Sequence, residues 1–418
     1  MPKTHTTRRT FLKGSLAASA FGATAGGAFW RPRRAVAAPP RERKFLFFFA
    51  GGGWDTTTVH DPKFGDDAGA VDMDAGTFLG GQGALRWTAG ADRPAVSRYF
   101  ERWGWRSSII NGIDTHSVGH GAATRSMLTG SVVSSLSDWP TLLASQTKVA
   151  FSMPHVVFGG PSFAGIRGAS LVRGGDVSLL DLNGREAGQM DGLAACLVDA
   201  PVHSRLDRFV LSKTGLVGPR GGEGLGTLQR ATKPEGRESE AGPGRETLGL
   251  LDQAVRATEL MRRGLSRCAM LRIPGSYDTH ENNVSQVSQQ DAFYDTLDRL
   301  MLYMSMTRGH TSPSLLDEVV VVAMSDLGRT PRLNGVGGKD HWPIGSMMVA
   351  GPGVRGGRVI GATDQGLAGV PINHASGRPS TSGDLLGCES VGAALLTIGG
   401  VDANSFLQGV QPLGALIG

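Results

Sequence analysis

DEVVVVAMSD, residues 317–326, decides the fold. Four valines, an alanine and a methionine run unbroken between an acidic pair and Ser-Asp. An alternating pattern would leave one strand face to water. An unbroken apolar run reads instead as a strand covered on both faces, the habit of parallel sheets flanked by helices. The chain then continues as LGRTPRLNGVGGKDHWP (327–343), setting Arg329, Asp340 and His341 after Asp326 among turn-forming glycines. Such a stretch is either an ordinary surface loop or one wall of a site.

Outward from this strand the same grammar repeats. RKFLFFFAGGGWD (43–55) is a short, continuously apolar strand ending in a glycine turn, and WRSSIING (105–112), HVVFGG (155–160) and CAMLRIPG (268–275) also read as strands or strand ends. SMMVAGPGVRGGRVIG (346–361) reads as strand, turn and strand. Helical periodicity appears in PAVSRYFERW (94–103), with proline at its start, and in residues 248–267, 286–309 and 382–400. GHGAATRSMLTG (119–130) has helix-compatible composition, TLLASQ begins another helical piece, and residues 71–90 read as loop. Strongly apolar strands separated by helices predict an α/β fold: a mostly parallel central sheet with helices on both faces. One domain over residues 38–418 is expected, with an irregular insert near 165–260 that includes the Gly/Glu/Arg-rich stretch 218–247.

The N-terminus predicts a destination. TTRRTFLKG (6–14) places Arg8 and Arg9 before a weakly apolar, Ala/Gly-rich stretch, and AVA (35–37) precedes two prolines. These parts, in this order, describe a twin-arginine export signal over residues 1–37, with the export machinery as a partner and a periplasmic or extracellular location. The apolar part is too short and too glycine-rich for a stable membrane span once the signal is removed. The signal also explains the charge. The 418 residues carry 42 Lys+Arg against 37 Asp+Glu, a net of +5. Seven of the basic residues lie in 1–37 with no acidic ones, so the remainder has 35 against 37, a net of −2. Nothing in that balance supports nucleic-acid binding. Three dispersed cysteines, Cys196, Cys268 and Cys388, form no disulfide framework.

In open α/β sheets, sites form outside the carboxyl ends of the strands. Four strand exits here carry ligand-type groups. Asp55 and His60 follow the first strand, Asp114, His116 and His120 follow the second, and Asp278 and His280 follow CAMLRIPG; the fourth exit is the 326–341 stretch. Carboxylate oxygen and imidazole nitrogen suit zinc, manganese or iron, and an ion of four to six ligands needs donors from several segments. Arg329 is suited to a bidentate clamp on phosphate or sulfate oxygens, or it pairs with Asp326. Thr124, Ser126 and Thr129 are nucleophile candidates if one of them meets a metal. The turn after the first strand lacks the dinucleotide GxGxxG, and no GxxxxGK[ST], GxSxG or CxxC occurs, which weighs against nucleotide-loop and serine-hydrolase chemistry.

The twin-arginine leader, the GGWD turn, DTHxxN (278–283) and the block DLGRTPRxNGxGGKDHW (326–342) together resemble the family of exported proteins called DUF1501, grouped with the alkaline phosphatase and sulfatase-like fold. That resemblance implies an alkaline phosphatase-like architecture and a metal site. Asp55 would be the metal-binding aspartate after the first strand, Asp278 and His280 a later pair, Asp326 the aspartate of a second pair, and His341 the final histidine. His116 and His120 would take over part of the site, with Asp340 as a further ligand. Arg125 with LTG (128–130) resembles the sulfatase nucleophile motif, without the Cys or Ser and the proline that precede it there. The implied function is a periplasmic metal-dependent hydrolase of phosphate or sulfate esters, acting on an anionic small molecule or polymer. Zinc heads the expected ions, followed by manganese, calcium or iron. The alternative is a non-catalytic exported protein of the same fold that binds a surface polymer or a protein partner.

Overall fold

The computed structural model describes residues 42–65, 70–132, 136–173 and 249–418. Residues 1–37, read above as an export signal, lie outside these residues, as do Cys196 and the stretch 218–247. Among them, nine strands form one sheet: β1 (Lys44–Ala50), β2 (Ser107–Asp114), β3 (His155–Val157), β4 (Leu171–Arg173), β5 (Cys268–Arg272), β6 (Val319–Ser325), β7 (Ile344–Ala350), β8 (Arg358–Ile360) and β9 (Leu386–Gly387). Six α-helices accompany it: α1 (Pro94–Trp103), α2 (His120–Thr129), α3 (Trp139–Ser145), α4 (Leu250–Arg262), α5 (Ser285–Met306) and α6 (Cys388–Ile398).

The strands lie in the order β8-β2-β7-β6-β1-β5-β3-β4, and β9 also pairs with β2. Every pairing in this sheet is parallel except those of β7, which runs antiparallel to both β2 and β6. The unbroken apolar runs follow from the layers on either side. Leu46, Phe48 and Ala50 of β1 join α1, α4 and α5 on one face, through Val96, Phe100, Val255, Phe293 and Leu297. Phe45, Phe47 and Phe49 join α2, α3 and α6 on the other, through Met127, Leu143, Val391 and Leu395. In β6 the valines divide the same way, Val319 and Val321 to the first layer, Val320 and Val322 to the second. Side chains alternate along a strand, so only a sequence apolar at every position fills both layers. Each such side chain contributes about 1.5–3 kcal/mol by its burial.

Local chemistry sets the helix starts. Pro94 opens α1, where the missing N–H costs nothing, and the amides of Ala95 and Val96 donate to Asp291 of α5. Asp138 caps α3 by accepting from Thr141 N at 2.8 Å. One expectation needs correction: residues 71–90 are not wholly loop. Phe78–Gln82 and Leu85–Ala89 pair as an antiparallel hairpin, with Leu85, Trp87 and Ala89 buried. The first of these strands is mostly exposed and glycine-rich, which hides its strand character from a pattern reading. The stretch 382–400 is helical only from Cys388, because Leu386–Gly387 pairs with β2.

This topology positions the site. The carboxyl ends of β5, β1 and β6 lie side by side on one sheet edge, and β2 exits there too because two antiparallel pairings separate it from β6. The entry to β7, immediately after Pro343, falls at that same edge for the same reason. Among the described residues no helix is long and apolar enough to cross a membrane.

Candidate metal centre

Three histidines and an aspartate meet at this edge. Asp278 follows β5, His120 opens α2, and His341 forms with Trp342 a short antiparallel pairing against Gly328–Arg329 before β7 begins. One ligand atom from each of His120, Asp278 and His341 lies within 4.8 Å of the others, close enough to share one ion. Asp278 Oδ1 is the hub. His280 Nε2 stands 3.0 Å from it, His341 Nε2 3.1 Å and His120 Nε2 3.4 Å. His280 Nε2 also lies 2.9 Å from His341 Nε2.

The far nitrogen of each ring is fixed by an acceptor. His120 Nδ1 lies 2.7 Å from Asp326 Oδ2, His280 Nδ1 2.8 Å from Asp340 Oδ1, and His341 Nδ1 2.7 Å from the carbonyl of Val118. Carboxylates and carbonyls only accept, so the proton of each neutral imidazole belongs on Nδ1 and the Nε2 lone pair faces the cluster. The same carboxylate–histidine arrangement orients metal ligands generally. One carboxylate oxygen cannot accept from three imidazoles and a guanidinium at once, and His120 Nε2 is buried without a hydrogen-bond partner. A cation between the nitrogens resolves both difficulties. Ligands of tetrahedral zinc, at about 2.0–2.1 Å from the ion, stand about 3.3 Å apart, and the three distances to Asp278 Oδ1, 3.0, 3.1 and 3.4 Å, run close to that value.

Asp326 is the best-supported side chain in the group. Its Oδ1 accepts from Gly53 N at 2.7 Å, Gly52 N at 3.1 Å and Ser325 Oγ at 3.1 Å, leaving Oδ2 to His120. Gly52 has φ +110°, and a Cβ there would come within 2.5 Å of Asp278 N, so the loops after β1 and β5 touch only because this residue is glycine. Gly338 serves the 326–341 loop likewise, since a Cβ there would collide with the backbone of His280.

Electrostatics follow the contacts. The hydrogen bond that His120 donates to Asp326 raises the pKa of His120 against the opposing effect of partial burial, and the charges of Asp326 and Asp278 add to it. Burial pushes the Asp278 carboxyl up. The hydrogen bond from Arg329 and the close contact with His341, with the charges of Arg329 and His120, outweigh it and hold the group well below the usual carboxylate range.

Other expected residues are placed elsewhere. Asp55 is 1% exposed, with Lys339 Nζ at 2.7 Å, Asn283 Nδ2 at 2.8 Å and the Thr57 amide and hydroxyl at 3.0 and 2.6 Å. Burial raises its pKa, but the charge and hydrogen bond of Lys339 prevail and lower it. Both oxygens are taken by these donors, and the structure does not bring Asp55 into the histidine group. His116 adopts φ +57° and turns its exposed ring to Asp114, with Nδ1 3.3 Å from Oδ2. His60 is a core residue: Ser346 Oγ and Tyr294 OH lie 2.7 and 2.6 Å from its ring nitrogens, and burial pushes its pKa down to about 3.

Arg329 is fully buried and fully engaged. It donates to the carbonyls of Gly52, Gly53 and Lys339 and to Asp278 Oδ1 at 2.5 Å, tying three loops together. The Arg125 guanidinium stacks over the Phe163 ring at 4.1 Å. Of the three hydroxyl candidates, Ser126 and Thr129 are buried, and Thr129 donates to the carbonyls of Arg125 and Ser131. Thr124, one turn beyond His120 on α2, lines a cleft of about 510 Å³ together with His120, Asp278 and Asp326. Arg272 and Ser276 share that lining. Sequence reasoning passed over Arg272, although a basic residue closing the apolar run CAML was the available signal.

No curated protein matches the chain. Similar solved structures include Ps i-CgsB in complex with k-i-k-neocarrahexaose, at 9% identity, covering 88% of this chain and 75% of that one with a TM-score of 0.39. Another is the PsFucS1 sulfatase from Pseudoalteromonas sp., at 12% identity, 90% and 72% coverage and a TM-score of 0.38. A third is a protein in the alkaline phosphatase superfamily from Vibrio parahaemolyticus, at 11% identity, 89% and 69% coverage and a TM-score of 0.35. Residues 229–374, which carry Asp278, His280, Asp326, Asp340 and His341, match the model of the family described as "Protein of unknown function (DUF1501)".

Proposed function

We propose that this protein is a metal-dependent hydrolase of phosphate or sulfate esters, exported by the twin-arginine route to the periplasm or beyond. The observation that carries this reading is the convergence of three Nε2 lone pairs on Asp278, with each ring held by an acceptor at Nδ1. His120, Asp278, His280 and His341 are the ligands. Nitrogen-rich donors of this kind favour zinc and disfavour calcium, which takes six to eight oxygens. When bound, a divalent ion supplies Lewis-acid polarisation of an ester oxygen and lowers the pKa of a nucleophilic water or hydroxyl.

The chain's own residues do the rest. Asp326 and Asp340 keep His120 and His280 in the tautomer that leaves Nε2 free. Arg329 holds Asp278 and the glycine turn after β1 in place, which makes it a positioning residue rather than a clamp on substrate. Thr124 lines the same cleft and is the nucleophile or the group that orients a water.

The test pairs activity with metal content. The zinc-loaded full chain is assayed on p-nitrophenyl phosphate and p-nitrophenyl sulfate, with and without chelator, beside His120→Ala. Hydrolysis of at least one ester, lost with chelator and restored by zinc, is expected. His120→Ala should lose both zinc and activity while keeping its circular-dichroism spectrum. A chain that binds zinc through these residues and hydrolyses neither ester supports the alternative, a non-catalytic exported protein that binds a surface polymer or partner.

A further inference from the structure

Arg272 is the last residue of β5, paired in register with Phe49, where the strand leaves the core. Met270 and Leu271 point into the two apolar layers, and the next side chain emerges on the cleft. Its surroundings are built from glycine. The guanidinium lies 3.7 Å from the position a Cβ of Gly51 would take, and a Cβ on Gly159 would stand 3.2 Å from Arg272 Cβ. Gly51, Gly52 and Gly160 share the lining, so no side chain from them covers the head group. Arg272 is exposed, and its side chain forms no hydrogen bond or ion pair with any described residue. Among the described residues that line this cleft, it is the only Arg or Lys.

The carboxylates beside it are already committed. Asp278 is held by Arg329 and the histidines, and Asp326 by two glycine amides, Ser325 and His120. Arg329, expected to clamp an anion, is likewise spoken for by three carbonyls and Asp278, and the Arg125 guanidinium stacks on Phe163. We infer that Arg272 is the anion-binding residue of this cleft, its guanidinium fork receiving two oxygens of a tetrahedral phosphate or sulfate group presented beside the histidine cluster. A planar fork with five donors matches such a group in a way a lysine ammonium does not. This assignment rests on the hydrolase reading for its meaning, since it names the part of the substrate that the ester hydrolase grips. The binding step itself can be tested without metal.

Metal-free full chain at pH 8 is titrated with inorganic phosphate and, separately, inorganic sulfate by calorimetry, beside Arg272→Gln and Arg272→Lys. Zinc uptake and the thermal midpoint are recorded for all three proteins. The wild type should bind at least one of the two anions, and the pair of titrations shows which. Arg272→Gln should weaken that binding by about tenfold or more, and Arg272→Lys should fall between, keeping the charge without the fork. Zinc uptake and the midpoint should not move, because the side chain is exposed and contacts none of the ligands. Absence of anion binding in the wild type, or equal anion affinity in Arg272→Gln, overturns the assignment. Loss of zinc uptake in the wild type would instead overturn the hydrolase reading and leave the Arg272 result standing on its own titration.

Discussion

Asp326 shows how a single residue ties the fold to the site. One oxygen takes two glycine amides and a serine hydroxyl, the other takes His120, so the ring's orientation is set by the strand ends themselves. Outer partners of this kind typically govern metal affinity by 10–100-fold. Asp326→Asn should therefore lower zinc affinity by about 10–100-fold without unfolding the chain, measured by competition with a chromophoric chelator; unchanged affinity would remove its orienting role. At this scale the sequence was partly legible. Asp278, His280, Asp326, Asp340 and His341 are where strand-exit reasoning put them, because motif and exit coincide. His116 was misleading, since a histidine two residues past a strand end can as easily turn to its neighbour Asp114. Asp55 was misleading for another reason. Its partner Lys339 lies far away in the chain, and no local pattern announces that pairing.

Elements converge here because three loops are locked against one another. Arg329 crosses from the 326–341 loop to the turn after β1 and to Asp278, while Lys339 reaches back to Asp55 with both partners 1% exposed. Removing one member of a buried pair leaves the other charge uncompensated and costs about 3–5 kcal/mol. Lys339→Met should destabilise the protein by about that amount in denaturant unfolding at pH 7. The double variant Asp55→Asn with Lys339→Met should recover part of the loss. A single-variant loss no larger than that of an exposed lysine would show that the pair does not hold the loop. The elements themselves were readable, with α1 falling on the predicted residues 94–103 and β6 on the valine run. What escaped was the direction of β7. An apolar strand carries no mark of parallel or antiparallel pairing, yet this reversal brings the segment entering β7, and with it His341, to the edge where the other strands exit.

Across the whole molecule, two apolar layers and a mostly parallel sheet were legible because each central strand is apolar at every position, a pattern with few other uses. The hairpin over residues 78–89 was not, since glycine and exposed positions blur its alternation. The site depends on this scale as well: its four proposed ligands come from three separate segments, after β5, at the start of α2 and before β7. The measurement that tests this most directly is zinc titration of the metal-free full chain, with stoichiometry by elemental analysis. The account predicts one zinc ion per chain, held through His120, Asp278, His280 and His341. His120→Ala and His341→Ala should each weaken it by at least about 100-fold, more than the loss of an outer partner, and His116→Ala should leave it unchanged. A chain that takes up no zinc, or that binds it equally well after His120→Ala and His341→Ala, would contradict the account.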